Sequence, residues 1–157
     1  MKVAVACDHG GFPLKEEVFQ AVREAGHEPI DLGTFSPERV DYPVYAEKIA
    51  RAILDGQADR GVLLCGSGVG ACIAANKFPG IFAAICHDAY SAHQGVEHDA
   101  MNVLCLGARV IGPELTRELV HSFLGAEYYN RGRYAERVAM VRKIESEHLS
   151  RSGSRGS

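Results

Sequence analysis

The chain predicts an α/β fold, a three-layer α/β/α sandwich around a five-stranded parallel sheet. Two observations lead there. Five short apolar runs read as strands buried on both faces, and the stretches between them carry apolar residues at helical spacing. Strand alternating with helix joins parallel strands through crossover helices, which cover both faces of the sheet.

The first run, Lys2–Cys7, opens the sheet, and Leu14, Val18, Ala21 and Val22 form the stripe of the first helix, which starts near Pro13. Pro29–Leu32 is the second strand. Asp41-Tyr42-Pro43 ends a loop and starts a helix with Ala46, Ile49, Ala50 and Ile53 on one side. Gly61–Cys65 is the third strand, followed by a glycine-rich turn and the helix-forming Cys72-Ile73-Ala74-Ala75-Asn76-Lys77. Ile81–Cys86 and Val103–Leu106 complete the sheet. Gly112-Pro113 opens a helix marked by Leu115, Leu119 and Val120, with proline placed in the first turn. A last, charge-rich helix runs from about Arg133 to His148, with Val138, Val141 and Ile144 on one side. No repeat or linker divides the chain, so residues 1–149 form one Rossmann-like domain. The final 150–157, rich in Ser, Gly and Arg, reads as a disordered tail of the kind left by cloning.

A length of 157 residues suits one compact domain that folds without metals or disulfides. The net charge of -3 gives no reason to expect nucleic acid or a membrane surface as a partner. No apolar run approaches the roughly 20 residues that span a bilayer, and Met1-Lys2-Val3-Ala4-Val5 begins a strand rather than a signal peptide. The five cysteines are Cys7, Cys65, Cys72, Cys86 and Cys105, and all but Cys72 lie in or at the ends of strand-like runs. That odd number, so placed, points to reduced thiols in a cytoplasm. No CxxC pair or zinc-ligand spacing occurs, and His93 and His98 are five apart, which does not stack them on one helix face. Neither a metal nor a cofactor is expected.

In parallel sheets, ligands bind beyond the carboxyl ends of the strands. That rule gathers Asp8-His9-Gly10-Gly11, the loop after Cys65, and His87-Asp88. In Cys65-Gly66-Ser67-Gly68-Val69-Gly70 a thiol stands where a helix N-terminus favours the thiolate. Three chemistries compete for this loop. Gly66-x-Gly68-x-x-Ala71 formally fits a dinucleotide fingerprint, with Asp88 as its ribose-binding acid, but it falls mid-chain. A cysteine phosphatase loop would need an arginine where Ala71 stands. The third reading is a small-molecule site in which Cys65 does acid–base work. Asp8 and His9 form a polar pair suited to a polyol or, in Asp8, a helix cap. His98 is either a surface residue or a general acid–base group. Arg133 and Arg137, four apart, share a helix face and can grip one phosphate, with Arg109 a further candidate for the same anion. Tyr42 either covers a sugar-sized ligand or packs.

Six motifs then match one family in order. They are Cys7-Asp8-His9-Gly10-Gly11, Asp41-Tyr42-Pro43, Cys65-Gly66-Ser67-Gly68-Val69-Gly70, Ala74-Ala75-Asn76-Lys77, Asn102 to Arg109, and Gly132-Arg133 with Arg137-Val138. From Lys2 to about Glu147 the chain resembles the type B ribose-5-phosphate isomerases and the galactose-6-phosphate isomerase subunits. The resemblance implies metal-free interconversion of an aldose phosphate, ribose 5-phosphate first, and its ketose through an enediolate. Cys65 would be the base, and His98 would open the furanose ring with Asp8. The N–H groups of Gly66, Ser67, Gly68, Val69 and Gly70 would hold the enediolate charge, with the Ser67 side chain assisting. His9, Arg109, Arg133 and Arg137 would bind the phosphate, and Tyr42 would line the sugar site. It also implies a homodimer or homotetramer with the site at the subunit interface, His98 and Arg109 serving the partner's Cys65. Asp99 stands where the family usually has asparagine, replacing a donor by an acceptor near the substrate. That keeps open an isomerase of a four- or six-carbon phosphosugar. A non-catalytic nucleotide-binding module is the more distant alternative.

Overall fold

The computed structural model describes residues 1–149; the tail expected at 150–157 lies outside the described residues. Five parallel strands, β1 (Lys2–Cys7), β2 (Glu28–Asp31), β3 (Arg60–Cys65), β4 (Ala83–Ile85) and β5 (Val103–Gly107), lie in the order β2-β1-β3-β5-β4. The helices are α1 (Lys15–Glu24), α2 (Tyr42–Leu54), α3 (Val69–Ala75), α4 (Ala89–Asp99), α5 (Pro113–Gly125) and α6 (Gly132–His148). A 3-10 turn at Phe12–Leu14 precedes α1.

Alternate residues of the three central strands feed two cores. Val3, Val5, Cys7, Val62, Leu64, Leu104 and Leu106 pack with Val18, Val22, Leu119 and Phe123 on one face. Ala4, Ala6, Leu63, Cys65, Val103 and Cys105 pack with Ile49, Ala50 and Ala71 on the other. Each large aliphatic so buried contributes about 1.5–3 kcal/mol, which is why these strands read as unbroken apolar runs. The chain leaves β1 toward β2 and returns on the opposite side to build β3. The crevice where ligands bind in such sheets therefore lies between the carboxyl ends of β1 and β3, next to Asp8 and Cys65.

Four differences from the expectation have physical causes. Helix α4 carries only Ala92 and Val96 as buried residues and has Gly95 inside it, so its stripe is too thin to read. Of Ile81–Cys86, only Ala83–Ile85 is strand, and side chains take the N–H groups where it begins. Phe82 N–H donates to Asn102 Oδ1 (2.8 Å), while Ala83 N–H donates to Asn76 Oδ1 (2.8 Å). Pro13 sits in the 3-10 turn rather than in the helix itself, with α1 following from Lys15. On α6, Val138 alone is buried, while Val141 and Ile144 are 50 % and 61 % exposed, so this chain does not cover the expected apolar side.

Candidate active site

Two tight turns build the crevice. Asp8, at the end of β1, is buried and accepts the Gly11 N–H on Oδ1 (3.0 Å), which folds the chain back over β3. This approach requires glycine: a Cβ on Gly11 would lie 2.5 Å from the Leu64 carbonyl. After β3, Gly68 takes a φ of 84°, which glycine adopts at little cost, and α3 starts one residue later. The same turn brings the Gly68 N–H within 3.0 Å of Cys65 Sγ. A backbone donor thus faces the Cys65 sulfur directly.

Beyond the thiol lies a cavity of about 300 Å³ lined by Asp8, Tyr42, Cys65, Gly66, Ser67 and Arg109, together with Gly70 and Val110. Tyr42 lays its ring against Gly70. Ala108 N–H donates to Cys65 O (2.9 Å) and Arg109 N–H to Gly66 O (3.0 Å), so the end of β5 clamps the loop. The clamp is held in turn by His87, whose Nε2 accepts the Gly107 N–H at 3.0 Å and whose pKa burial holds below the ordinary 6.5. Val69 N–H donates to Ser67 Oγ (3.2 Å). Two of the five N–H groups expected to face an oxyanion are therefore engaged by the protein, on Cys65 Sγ and Ser67 Oγ, which leaves those of Gly66, Ser67 and Gly70. His9 turns Nδ1 to the backbone of Val40, 3.1 Å from its oxygen and 3.2 Å from its nitrogen, which keeps Nε2 for a ligand.

A second cluster forms at the ends of α4 and α6. His98 stacks on Tyr134 with ring centroids 4.6 Å apart and lies 5.8 Å from Tyr129, while its Nδ1 is 2.8 Å from the Gln94 amide nitrogen. Arg137 sits over Tyr134 (5.4 Å) and Arg131 over Tyr129 (5.6 Å). Arg131, Gly132, Arg133, Tyr134 and Arg137 line a cavity of about 590 Å³. Asp99 lines a third cavity of about 320 Å³ with Asn76, Phe82, Met101 and Val141.

The chain thus gathers Asp8, Tyr42, Cys65, Gly66, Ser67, Gly70 and Arg109 around one cavity and Arg133 and Arg137 around another, with His98 stacked on Tyr134 of that second lining. Arg109 lies against Gly66 of its own chain, not apart from it as the interface expectation supposed. Asp88 is no ribose ligand: it caps α4 by accepting the Ser91 N–H (2.7 Å), a bond that lowers its pKa. Val110, Gln94, Tyr129 and Tyr134 escaped the sequence reading. Gln94 stands four residues before His98 and becomes visible once α4 is recognised as a helix.

All five cysteines are free thiols. Burial pushes Cys7 and Cys86 up to about 11, whereas the neighbouring Cys105 thiol brings Cys72 down to about 7. Among the described residues no three His, Cys, Asp or Glu side chains converge as a metal site requires, and no helix is long and apolar enough to cross a membrane.

A parallel sheet that presents a buried thiol faced by a backbone N–H at its switch point, beside a small polar cavity, defines an α/β protein of the class that binds small ligands beyond its strand ends. The model of the ribose/galactose isomerase family matches residues 3–141. The ribose-5-phosphate isomerase B of Escherichia coli is 49% identical over 144 residues, covering 92% of this chain and 96% of that protein. The D-erythrulose-4-phosphate isomerase of Pectobacterium atrosepticum is 41% identical over 134 residues, 84% of this chain and 88% of that one. Among solved structures, the Clostridium thermocellum ribose-5-phosphate isomerase B superposes with a TM-score of 0.90 at 44% identity, covering 94% of this chain and 99% of that chain. The chain belongs to the ribose/galactose isomerase family, and it has the family's parallel α/β fold.

Proposed function

We propose that the protein interconverts ribose 5-phosphate and ribulose 5-phosphate through an enediolate. The observation that carries this is Cys65 Sγ held at 3.0 Å by the Gly68 N–H, facing a cavity shared with Asp8, Ser67, Tyr42 and Arg109. The Cys65 thiolate takes the proton from C2 of the open-chain aldose and returns it to C1. The remaining loop N–H groups and Ser67 hold the oxygen that becomes negative between the two transfers. His98 and Asp8 act earlier, opening the furanose ring, and His9, Arg109, Arg133 and Arg137 bind the phosphate. The chemistry asks for no cofactor. Five free thiols suit a reducing cytoplasm.

The two clusters occupy separate cavities of one chain, so a second copy completes the site by bringing His98, Arg133 and Arg137 to the Cys65 cavity. The exposed Val141 and Ile144 leave α6 an apolar side for such an assembly. Mixing inactive Cys65→Ala with inactive His98→Asn chains tests this. Random dimers should regain about a quarter of wild-type activity, since one site of each hybrid is intact. No recovery would place both residues in one chain's site.

The reaction itself is tested by initial rates on ribose 5-phosphate with chelator present. A kcat/KM of about 10⁴ M⁻¹s⁻¹ or more supports the reading. A much lower value beside a high one on erythrose 4-phosphate would move the assignment to the four-carbon sugar, the direction in which Asp99 points.

A further inference from the structure

We infer that Gln94 is a positioning residue that fixes the tautomer and the ring orientation of His98; this rests on the reading that His98 is the ring-opening acid. Both residues belong to α4, one turn apart, so their side chains leave the same face of the helix. The Gln94 amide nitrogen is 2.8 Å from Nδ1. An amide NH₂ only donates, so Nδ1 accepts and the ring proton resides on Nε2. Among the described residues no protein group hydrogen-bonds Nε2, which leaves its N–H for an oxygen brought from outside the chain.

The rest of the surroundings holds the ring plane. Tyr134 lies nearly parallel to the imidazole, 32° off at 4.6 Å, and Tyr129 closes from the side at 5.8 Å and 50°. The two tyrosines brace each other at 5.5 Å, and the Tyr129 N–H is tied to the Glu97 carbonyl by a 2.8 Å bond. Turning the ring over within this slot would put a C–H against the Gln94 amide and lose the bond. When His98 has received a proton, the same amide can rotate to present Oε1 to Nδ1–H. Glutamine thus keeps the ring in place through both halves of a proton transfer, which neither leucine nor glutamate can do.

The deciding experiment is imidazole ¹⁵N NMR on the full chain as wild type, Gln94→Leu and Gln94→Glu, with kinetics on the same samples. His98 should show unprotonated Nδ1 in the wild type, a mixture of tautomers in Gln94→Leu, and protonated Nδ1 in Gln94→Glu. On ribose 5-phosphate, Gln94→Leu should lower kcat about tenfold with KM nearly unchanged, a fraction of the general-acid contribution. An unchanged His98 tautomer in Gln94→Leu overturns the proposal whatever the kinetics show. Should Gln94→Leu misfold, Gln94→Met keeps the side-chain length and removes the donor, with the same expected readout. The underlying reading is tested apart from this: full kcat in His98→Asn would remove His98 as the acid while leaving the NMR result standing.

Discussion

The Cys65 cavity and the His98–arginine cluster are built in opposite ways. Backbone makes the first: strand ends, two turns and the β5 clamp hold Asp8 and Cys65 at 7 % and 4 % exposure. Side chains on helix surfaces make the second, where exposed Arg131 and Arg137 lie over the rings of Tyr129 and Tyr134 beside an exposed Arg133. Backbone hydrogen bonds set the shape of the first before any ligand arrives, whereas the second is a set of long, exposed side chains whose positions a ligand can still adjust. Substitutions in the first should therefore remove chemistry or fold, and those of the arginines in the second should weaken binding.

Cys65→Ala gives the largest expected effect. Deleting the proposed base should lower kcat by about 10³-fold or more, within the usual range for general-base catalysis. The melting temperature should stay close to wild type, because the lost sulfur leaves only a small void at the cavity wall. Turnover near normal in this variant would take the proton transfer away from the thiol.

Gly11→Ala probes the same region through its scaffold. The new methyl would lie 2.5 Å from the Leu64 backbone, which cannot yield as a flexible side chain would. A loss of about 1–3 kcal/mol is expected in denaturant unfolding, with activity falling as the Asp8 turn shifts. An unchanged midpoint would show that the turn is softer than its contacts imply.

These two positions also show what was legible in the sequence. The apolar runs and their glycine-rich ends announced a parallel sheet and the Cys65 turn, because a doubly buried strand and a close backbone approach each demand particular residue types. Helix α4 was invisible for the converse reason: two small buried residues and an internal glycine carry almost no periodic signal. With α4 unseen, the partnership of Gln94 and His98 four residues apart could not be read. Nor could the placing of Arg109 against its own Gly66, which depends on β5 lying beside β3, a strand order that composition does not encode.

On the helix-borne side, Arg137→Ala should raise KM for a sugar phosphate about tenfold, the worth of one charge-assisted hydrogen bond, with kcat changed less than threefold. Arg133→Ala should behave alike, and the double variant should exceed either. Equal losses in kcat and kcat/KM would instead mean that the arginines act in the transition state and that the cluster is as preorganised as the cavity.

The smallest effect concerns His87, which joins the end of β4 to the clamp. Its Nε2 accepts the Gly107 N–H only while unprotonated, and burial sets its folded pKa below the ordinary 6.5. A group depressed in this way contributes stability that is complete above the unfolded value and is lost as pH falls through the folded one. Wild-type melting temperature should therefore drop more steeply than that of His87→Gln between about pH 7 and pH 5, by on the order of a few degrees. Glutamine still offers an acceptor to Gly107 but does not titrate, and the lowered pKa of His27 acts equally in both proteins. Parallel curves would mean that β5 holds the Cys65 loop without His87, and that the backbone-built half of the site is self-sufficient.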